Sequence, residues 1–281
     1  MIVPVRNGAA SLPALLSSLS AQTLAGDRFE VVVVDNASSD GTAEIAGRHG
    51  ARVAREPVAN RALARNAGAA VAASRLLAFT DGDCVADPGW LEALLAASAT
   101  APLVAGEVKL RVGWRPNAIE RFEALWRFGQ SAWVERDGWA ATANLLVHAD
   151  AFEAIGGFDG SWRHLGEDAD LCLRAGAAGY GLRFCPDAVV HHAGERSLIP
   201  FVRRCFLHGY SANQAHYRLA AGHRAWREPH DAIRGDGALR RLGQRPERFD
   251  RREWRRMAAV ARAGYGARVA GSVWAELVHA R

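Results

Sequence analysis

Apolar and polar positions along this chain follow two rhythms, short apolar runs and longer stretches with helical spacing. Ile2 to Val5 is a short run, followed by Arg6-Asn-Gly8 and by Leu12, Leu15, Leu16 and Leu19. Intervals of three and four predict a strand, a turn and then a helix. Phe29 to Val34 reads as a second run without alternation, as in a parallel strand covered on both faces. It ends in Asp-Asn-Ala-Ser-Ser-Asp-Gly-Thr at 35–42, dense in turn and cap formers, which predicts a helix over about 43–50. A third strand is predicted over 51–56, a helix over 62–73, and a strand over 76–80 that runs into Asp81-Gly82-Asp83. Repeated βα units predict an α/β domain, a mostly parallel, Rossmann-like sheet flanked by helices. Ligands of such sheets collect outside the carboxyl ends of the strands. The polar loops 6–8, 35–42 and 81–83 all lie there.

Composition narrows the class only a little. The 281 residues are 49% apolar and 23% charged, as in an ordinary globular protein. A net charge of +5 permits attraction to phosphates, nucleic acid or anionic lipid and selects none of them. Met1 leads directly into Ile2-Val-Pro-Val5, and no apolar run reaches the ~18 residues of a membrane span. Cys84, Cys172, Cys185 and Cys205 have neither metal-knuckle nor disulfide spacing. These features predict a cytoplasmic protein with reduced cysteines. A dinucleotide dehydrogenase is disfavoured, because no Gly-x-Gly-x-x-Gly follows the first strand. A nucleotidyltransferase would want a glycine- and lysine-rich phosphate loop, yet Lys109 is the chain's only lysine.

The candidate chemistry begins at the fourth strand. Asp81 and Asp83 project hard oxygen ligands from a strand end, and Gly82 permits the tight bend between them. Such a pair can hold a divalent cation against a diphosphate, although Asp-Gly-Asp is also a common turn. The surrounding motifs carry more weight. Val3-Pro-Val-Arg-Asn-Gly8, Val31 to Thr42, Asn60-Arg-Ala-Leu-Ala-Arg-Asn-Ala-Gly68 and Phe79-Thr-Asp-Gly-Asp83 resemble the family 2 glycosyltransferases. Ala143-Asn-Leu-Leu-Val147, Ile155-Gly-Gly-Phe-Asp159 and Gly166-Glu-Asp-Ala-Asp-Leu-Cys-Leu-Arg174 continue the resemblance, which covers roughly residues 2 to 210.

The resemblance implies a GT-A fold and an inverting transfer of sugar from a nucleoside-diphosphate sugar, with a UDP-sugar favoured, to an acceptor hydroxyl. Residues 1–105 would form the nucleotide-sugar half, 106–197 the acceptor and catalytic half, and 198–281 a helical, basic extension. The implied donor-binding set is Pro4, Asp35, Arg65, Asp81 and Gly82, with Asp35 reading the base. Arg65, with Asn66 and Gly68, is expected on the helix facing the same crevice, to meet a phosphate or ribose. Arg61, one turn earlier, competes for that role, and a solvated side chain is the alternative. Asp81 and Asp83 would bind Mg²⁺ or Mn²⁺. A third ligand is expected from His192, or alternatively His191, after a strand over 187–190; imidazole would favour manganese. Asp168 would be the general base, with Trp162 and Glu167 at the acceptor. Asp170 and Arg174, one helical turn apart, are expected to form an ion pair. The acceptor is left open among glycans, lipid-linked and small-molecule hydroxyls, and no nucleic-acid partner is expected. A catalytically silent nucleotide-sugar or glycan-binding module on the same fold is the alternative.

Three features stand outside the catalytic motifs. Trp114, Trp126, Trp133 and Trp139 lie among arginines and read as core or as aromatics that stack against an acceptor sugar or lipid. Residues 222–252 are arginine-rich and read as solvated. Trp254 to His279 is an amphipathic basic helix candidate, interrupted by Gly264, Gly266 and Gly271. It is a candidate for peripheral membrane contact at the inner face, for packing on the catalytic domain, or for a homo-oligomer interface. The chain also begins almost inside its first strand, where the family carries a few residues ahead, so that strand is expected to be short.

Overall fold

The computed structural model describes residues 1–219 and 250–279. They fall into two compact units. The first comprises residues 1–109, 129–163 and 167–193; the second comprises 110–128, 164–166 and 194–281. The arginine-rich stretch 222–252 lies largely outside the described residues.

The first unit is built on one eight-stranded sheet in the order β3-β2-β1-β4-β7-β6-β8-β5. The strands are β1 (Ile2–Val5), β2 (Val32–Asn36), β3 (Arg52–Glu56), β4 (Leu76–Phe79), β5 (Cys84–Ala86), β6 (Leu103–Arg111), β7 (Leu145–His148) and β8 (Leu182–Ala193). Pairing is parallel through β3, β2, β1 and β4, as the βα repeats predict. It turns antiparallel at β4–β7, β6–β7 and β5–β8. The helices are α1 (Leu12–Ser20), α2 (Thr42–Arg48), α3 (Arg61–Val71), α4 (Trp90–Ser98), α5 (Ala118–Trp126), α6 (Ala149–Ala154), α7 (Glu167–Ala177), α8 (Leu198–Leu219) and α9 (Arg251–His279). Ile2, Val32, Val34, Phe79, Leu145, Phe158 and Leu171 share one core cluster. The Phe158 ring meets Phe79 edge-on at 5.3 Å. Each such side chain contributes about 1.5–3 kcal/mol by leaving water.

Two differences from the sequence expectation bear on the site. β2 starts at Val32 rather than Phe29, because its register with β1 opens at Ile2↔Val32. β8 is much longer than 187–190, because it keeps pairing with β5 through Cys84↔His192. His191 and His192 therefore lie inside a strand.

Glycines set the close approaches. A Cβ on Gly68 would stand 2.4 Å from Ile2 Cγ2, so glycine is what lets α3 lie directly on β1. Asn60 caps that helix, accepting from Ala62 N at 2.8 Å and Leu63 N at 3.3 Å. Its amide also donates to Gly160 O and Trp162 O.

The second unit is helical. Trp254, Met257 and Ala261 of α9 pack with Ala118, Phe122 and Leu125 of α5. α9 runs unbroken through Gly264, Gly266 and Gly271, contrary to the predicted interruption. Tertiary packing explains this: a Cβ on Gly271 would lie 2.0 Å from Phe206 O of α8, and one on Gly209 1.8 Å from Arg268 O of α9. The glycines bring two helix backbones together, which outweighs their poor helix propensity.

Candidate active site

Every element of the site lies in the first unit. β1 contributes a gap in the sheet. Ile2 O accepts from Thr80 N at 3.3 Å, so Ile2 faces β4. Pro4, two residues on, faces the same way and offers no N–H. The β1–β4 ladder has the single pair Ile2↔Phe79. The chain beyond Thr80 is thereby released to form the Asp81-Gly82-Asp83 turn. A Cβ on Gly82 would meet Val5 Cγ2 at 2.7 Å, so glycine lets the turn pass the end of β1.

Asp81, Asp83 and His192 converge at that turn. His192 Nε2 stands 3.7 Å from Asp81 Oδ2 and 3.5 Å from Asp83 Oδ1. Its Nδ1 lies 2.9 Å from Ala193 O. A carbonyl only accepts, so Nδ1 carries a hydrogen, and Nε2 is the ring atom that faces the two carboxylates. Two carboxylates and one imidazole nitrogen thus converge on one point. Burial would by itself raise the Asp81 carboxyl, but the His192 hydrogen bond and the Arg65 charge hold it well below the usual carboxylate range. Strand alternation sends His191 the other way, where its Nε2 lies 3.0 Å from Asp87 Oδ1. The two histidines thus face opposite ways, with His192 on the side of Asp81 and Asp83. Cys84 Sγ also lies within 4.8 Å of the Asp83 and His192 ligand atoms. Burial, reinforced by Asp81 and Asp83, pushes that thiol up, and a neutral thiol is a poor ligand for a hard cation.

Arg65 is not solvated; its guanidinium turns in among the carboxylates of the site. It is 2% exposed. One terminal nitrogen donates to Glu167 Oε1 at 2.8 Å and the other to Asp81 Oδ1 at 3.2 Å. Arg61, half exposed, approaches Glu167 only to 4.0 Å. Glu167, expected at the acceptor, is buried with an oxygen committed to Arg65. Trp162, the other acceptor candidate, is also buried.

Asp168 opens α7 beside Glu167. Its Oδ1 accepts from Ala169 N at 2.9 Å. Burial, with the charge of Glu167 second, pushes this carboxyl up to about 6 against the opposing pull of Arg65. A carboxylate tuned there is a serviceable proton acceptor near neutrality. Asp170 and Arg174 do form the expected pair, at 2.7 Å. Arg174 also donates to Ile155 O and Gly157 O, holding the turn that carries Gly157 at φ +68°. Asp35 ends β2, with Oδ1 accepting from Ser38 N at 3.0 Å. Asp40, not Asp35, receives Thr42 N at the start of α2.

Sequence reasoning left two polar anchors without a role. Asn144 is fully buried and ties three elements, donating to Glu107 O and Ala188 O and accepting from Trp90 Nε1. Asn7 sits at φ 53° and accepts from Ser39 N at 2.8 Å, lacing the loops after β1 and β2. Their positions inside matched motifs were the available signal. Trp133 and Trp139 stack on each other at 4.5 Å, and Trp114 is exposed.

Comparison with known proteins fixes the family. The family described as "Glycosyl transferase family 2" matches residues 1–128, and "Glycosyl transferase family group 2" matches residues 81–254, more than half of the chain. The chain belongs to the family 2 glycosyltransferases. Among relatives of this family, glycosyltransferase AglE of Haloferax volcanii is 33% identical over 202 residues, covering 68% of this chain and 66% of that one. The pre-mycofactocin glycosyltransferase of Mycobacterium tuberculosis is 32% identical over 228 residues, covering 75% of this chain and 46% of that one. The chain thus spans between about half and two thirds of the length of these relatives. In fold it is similar to the mannosyltransferase PcManGT of Pyrobaculum calidifontis, solved with GDP-Man and Mn²⁺. The TM-score is 0.62 at 19% identity, over 97% of this chain and 86% of that one. The fold is the GT-A fold of this family.

Proposed function

We propose that this family 2 member transfers a sugar from a nucleoside-diphosphate sugar to an acceptor hydroxyl with inversion at the anomeric carbon. The observation that carries the reading is the Arg65 bridge, which ties the three-acceptor cation site to the helix bearing a carboxylate tuned to about 6. The donor set of two carboxylates and one imidazole lone pair fits a divalent cation, and the imidazole favours Mn²⁺ over Mg²⁺. The PcManGT complex, with its nucleotide sugar and Mn²⁺, supports that choice. When bound to Asp81, Asp83 and His192, such a cation supplies Lewis-acid neutralisation of the departing diphosphate.

The chain's own groups do the rest. Asp168 accepts the acceptor's hydroxyl proton as that oxygen bonds to the anomeric carbon. The bond from that carbon to the diphosphate breaks, and its electron pair leaves with the nucleoside diphosphate. Asp35, at the end of β2, is placed to receive the base, and Pro4 and Gly82 keep the diphosphate end open. Arg65 stays with Glu167 and Asp81 and orients both. Any peripheral membrane contact or oligomer belongs to the helical second unit.

The test pairs donor and metal. Thermal shifts with UDP-, GDP- and dTDP-sugars should identify one donor whose effect needs Mn²⁺, and EDTA should abolish transfer until Mn²⁺ is restored. His192→Ala should weaken Mn²⁺ binding by at least about tenfold, while His191→Ala leaves it within about twofold. Full transfer in chelator, or equal effects of the two histidine variants, would refute this cation site.

A further inference from the structure

The second unit carries a surface that sugar transfer does not explain. Residues 111–115 and 196–200 lie side by side. Gly194 N donates to Arg111 O at 3.1 Å, and Asn117 Nδ2 donates to Arg196 O at 2.8 Å. Between them they present Trp114 at 96% exposure, Ile199 at 82%, Leu198 at 53% and Val112 at 40%. A single exposed apolar side chain means little, but four large ones on two adjoining segments mark an interaction surface.

The polar surroundings have one sign. Arg111, Arg115, Arg196 and Arg203 are all exposed. Arg203 lies one turn along α8 from Ile199, on the same face. The neighbouring acids are withdrawn. Glu120 is buried, with its oxygens accepting from Gly113 N and Asn117 N and one of them 3.5 Å from the Arg196 guanidinium. Glu123 is buried beside Arg204 and accepts from Glu195 N. Glu195 itself accepts from Arg196 N and Ser197 N.

We infer that this edge docks on an anionic lipid bilayer, with Trp114, Ile199 and Leu198 entering the interface and Arg111, Arg115 and Arg203 on the headgroups, Arg196 being shared with Glu120. An apolar tip inside a basic ring matches that boundary in both polarity and charge. The contact is interfacial, since among the described residues no helix is long and apolar enough to cross a membrane. It is also distinct from the first half of α9, whose Trp254, Met257 and Ala261 are taken up by α5. The inference does not depend on the sugar-transfer reading.

Co-sedimentation of the full chain with vesicles tests it. Vesicles with roughly a third phosphatidylglycerol in phosphatidylcholine should pull the protein down, and pure phosphatidylcholine should not. Trp114→Glu with Ile199→Glu should lower the partition coefficient at least about tenfold at unchanged circular dichroism and melting temperature, because both side chains are exposed. Arg115→Glu with Arg203→Glu should remove the dependence on anionic lipid. A wild-type protein that stays in the supernatant with both vesicle types overturns the inference, as do variants that sediment like the wild type. So does light scattering that shows a dimer dissociated by Trp114→Glu, which would assign the surface to a second copy of the chain.

Discussion

Replacing Arg65 by methionine probes the charge network behind the proposed cation site. The guanidinium is 2% exposed and reaches Glu167 Oε1 at 2.8 Å and Asp81 Oδ1 at 3.2 Å. Glu167 is equally enclosed, and its other cation, Arg61, stands 4.0 Å away and half in solvent. Methionine keeps much of the volume but leaves the Glu167 carboxylate buried with only that screened partner. Breaking a buried pair in this way costs about 3–5 kcal/mol, a large share of the roughly 5–15 kcal/mol that holds a domain together. Glu167→Gln retains an acceptor oxygen while Arg65 keeps Asp81, so its cost is smaller, about 1–3 kcal/mol. The double variant Arg65→Met/Glu167→Met leaves no isolated charge on that side. It should therefore lose less than the sum of the two single methionine variants, by about 0.5–3 kcal/mol. Urea unfolding followed by tryptophan fluorescence and circular dichroism measures all of these. A loss below about 1 kcal/mol for Arg65→Met, or strict additivity in the cycle, would show that the pair does not join α3 to α7.

Two further outcomes are expected. With Asp168 pushed up to about 6, its carboxyl is mainly protonated below that pH and mainly ionised above it. The transfer rate should rise with pH through about 6, with unit slope on the acid limb, and then level off; Asp168→Asn should remove the limb and about two to four orders of magnitude in turnover while donor binding persists. A profile flat down to about pH 4.5 would take Asp168 out of the base role. In the second unit, Gly209→Ala and Gly271→Ala force a Cβ to within 1.8 Å and 2.0 Å of backbone oxygens. Each should cost about 1–3 kcal/mol of unfolding free energy. Gly266→Ala meets nothing within 4 Å, and it should stabilise by about 0.5–1 kcal/mol. Three equal effects would mean that α8 and α9 do not touch at those glycines.

The parallel half of the sheet and its loops were legible because each βα unit carries its own apolar period and cap. Asn60 illustrates this: a cap former directly before a helical period becomes the N-cap of α3. Features set by pairing between distant segments were not legible. The length of β8 depends on a partner about 100 residues earlier, so a reading that ended the strand at 190 did not show which way either histidine faces, and the preference for His192 rested on the family resemblance. The partners of Arg65 were not legible for the same reason. Its partner Glu167 is 102 residues away, and nothing local in Arg61-Ala-Leu-Ala-Arg65 says which arginine turns inward. Gly68 marks the face of α3 that presses onto the sheet. Arg61 and Arg65 both lie on that face, seven and three residues earlier, so the distant carboxylates decide between them.

That geometry explains how neighbouring carboxylates in one network come to have opposite proton affinities. Arg65 favours ionisation of both Asp81 and Asp168. At Asp81 it acts together with the His192 hydrogen bond and outweighs burial, so this carboxylate stays charged and ready for a cation. At Asp168 the adjacent Glu167, itself held in place by Arg65, adds a like charge to the effect of burial, and the carboxyl rises instead. Glu167 thus has a chemical consequence without touching a substrate. Neutralising it should lower the Asp168 carboxyl and move the acid limb of the rate profile towards lower pH. Loss of an acceptor contact would raise KM and leave the limb in place. The direction in which Glu167→Gln moves that limb therefore separates a residue that tunes the base from one that holds the acceptor.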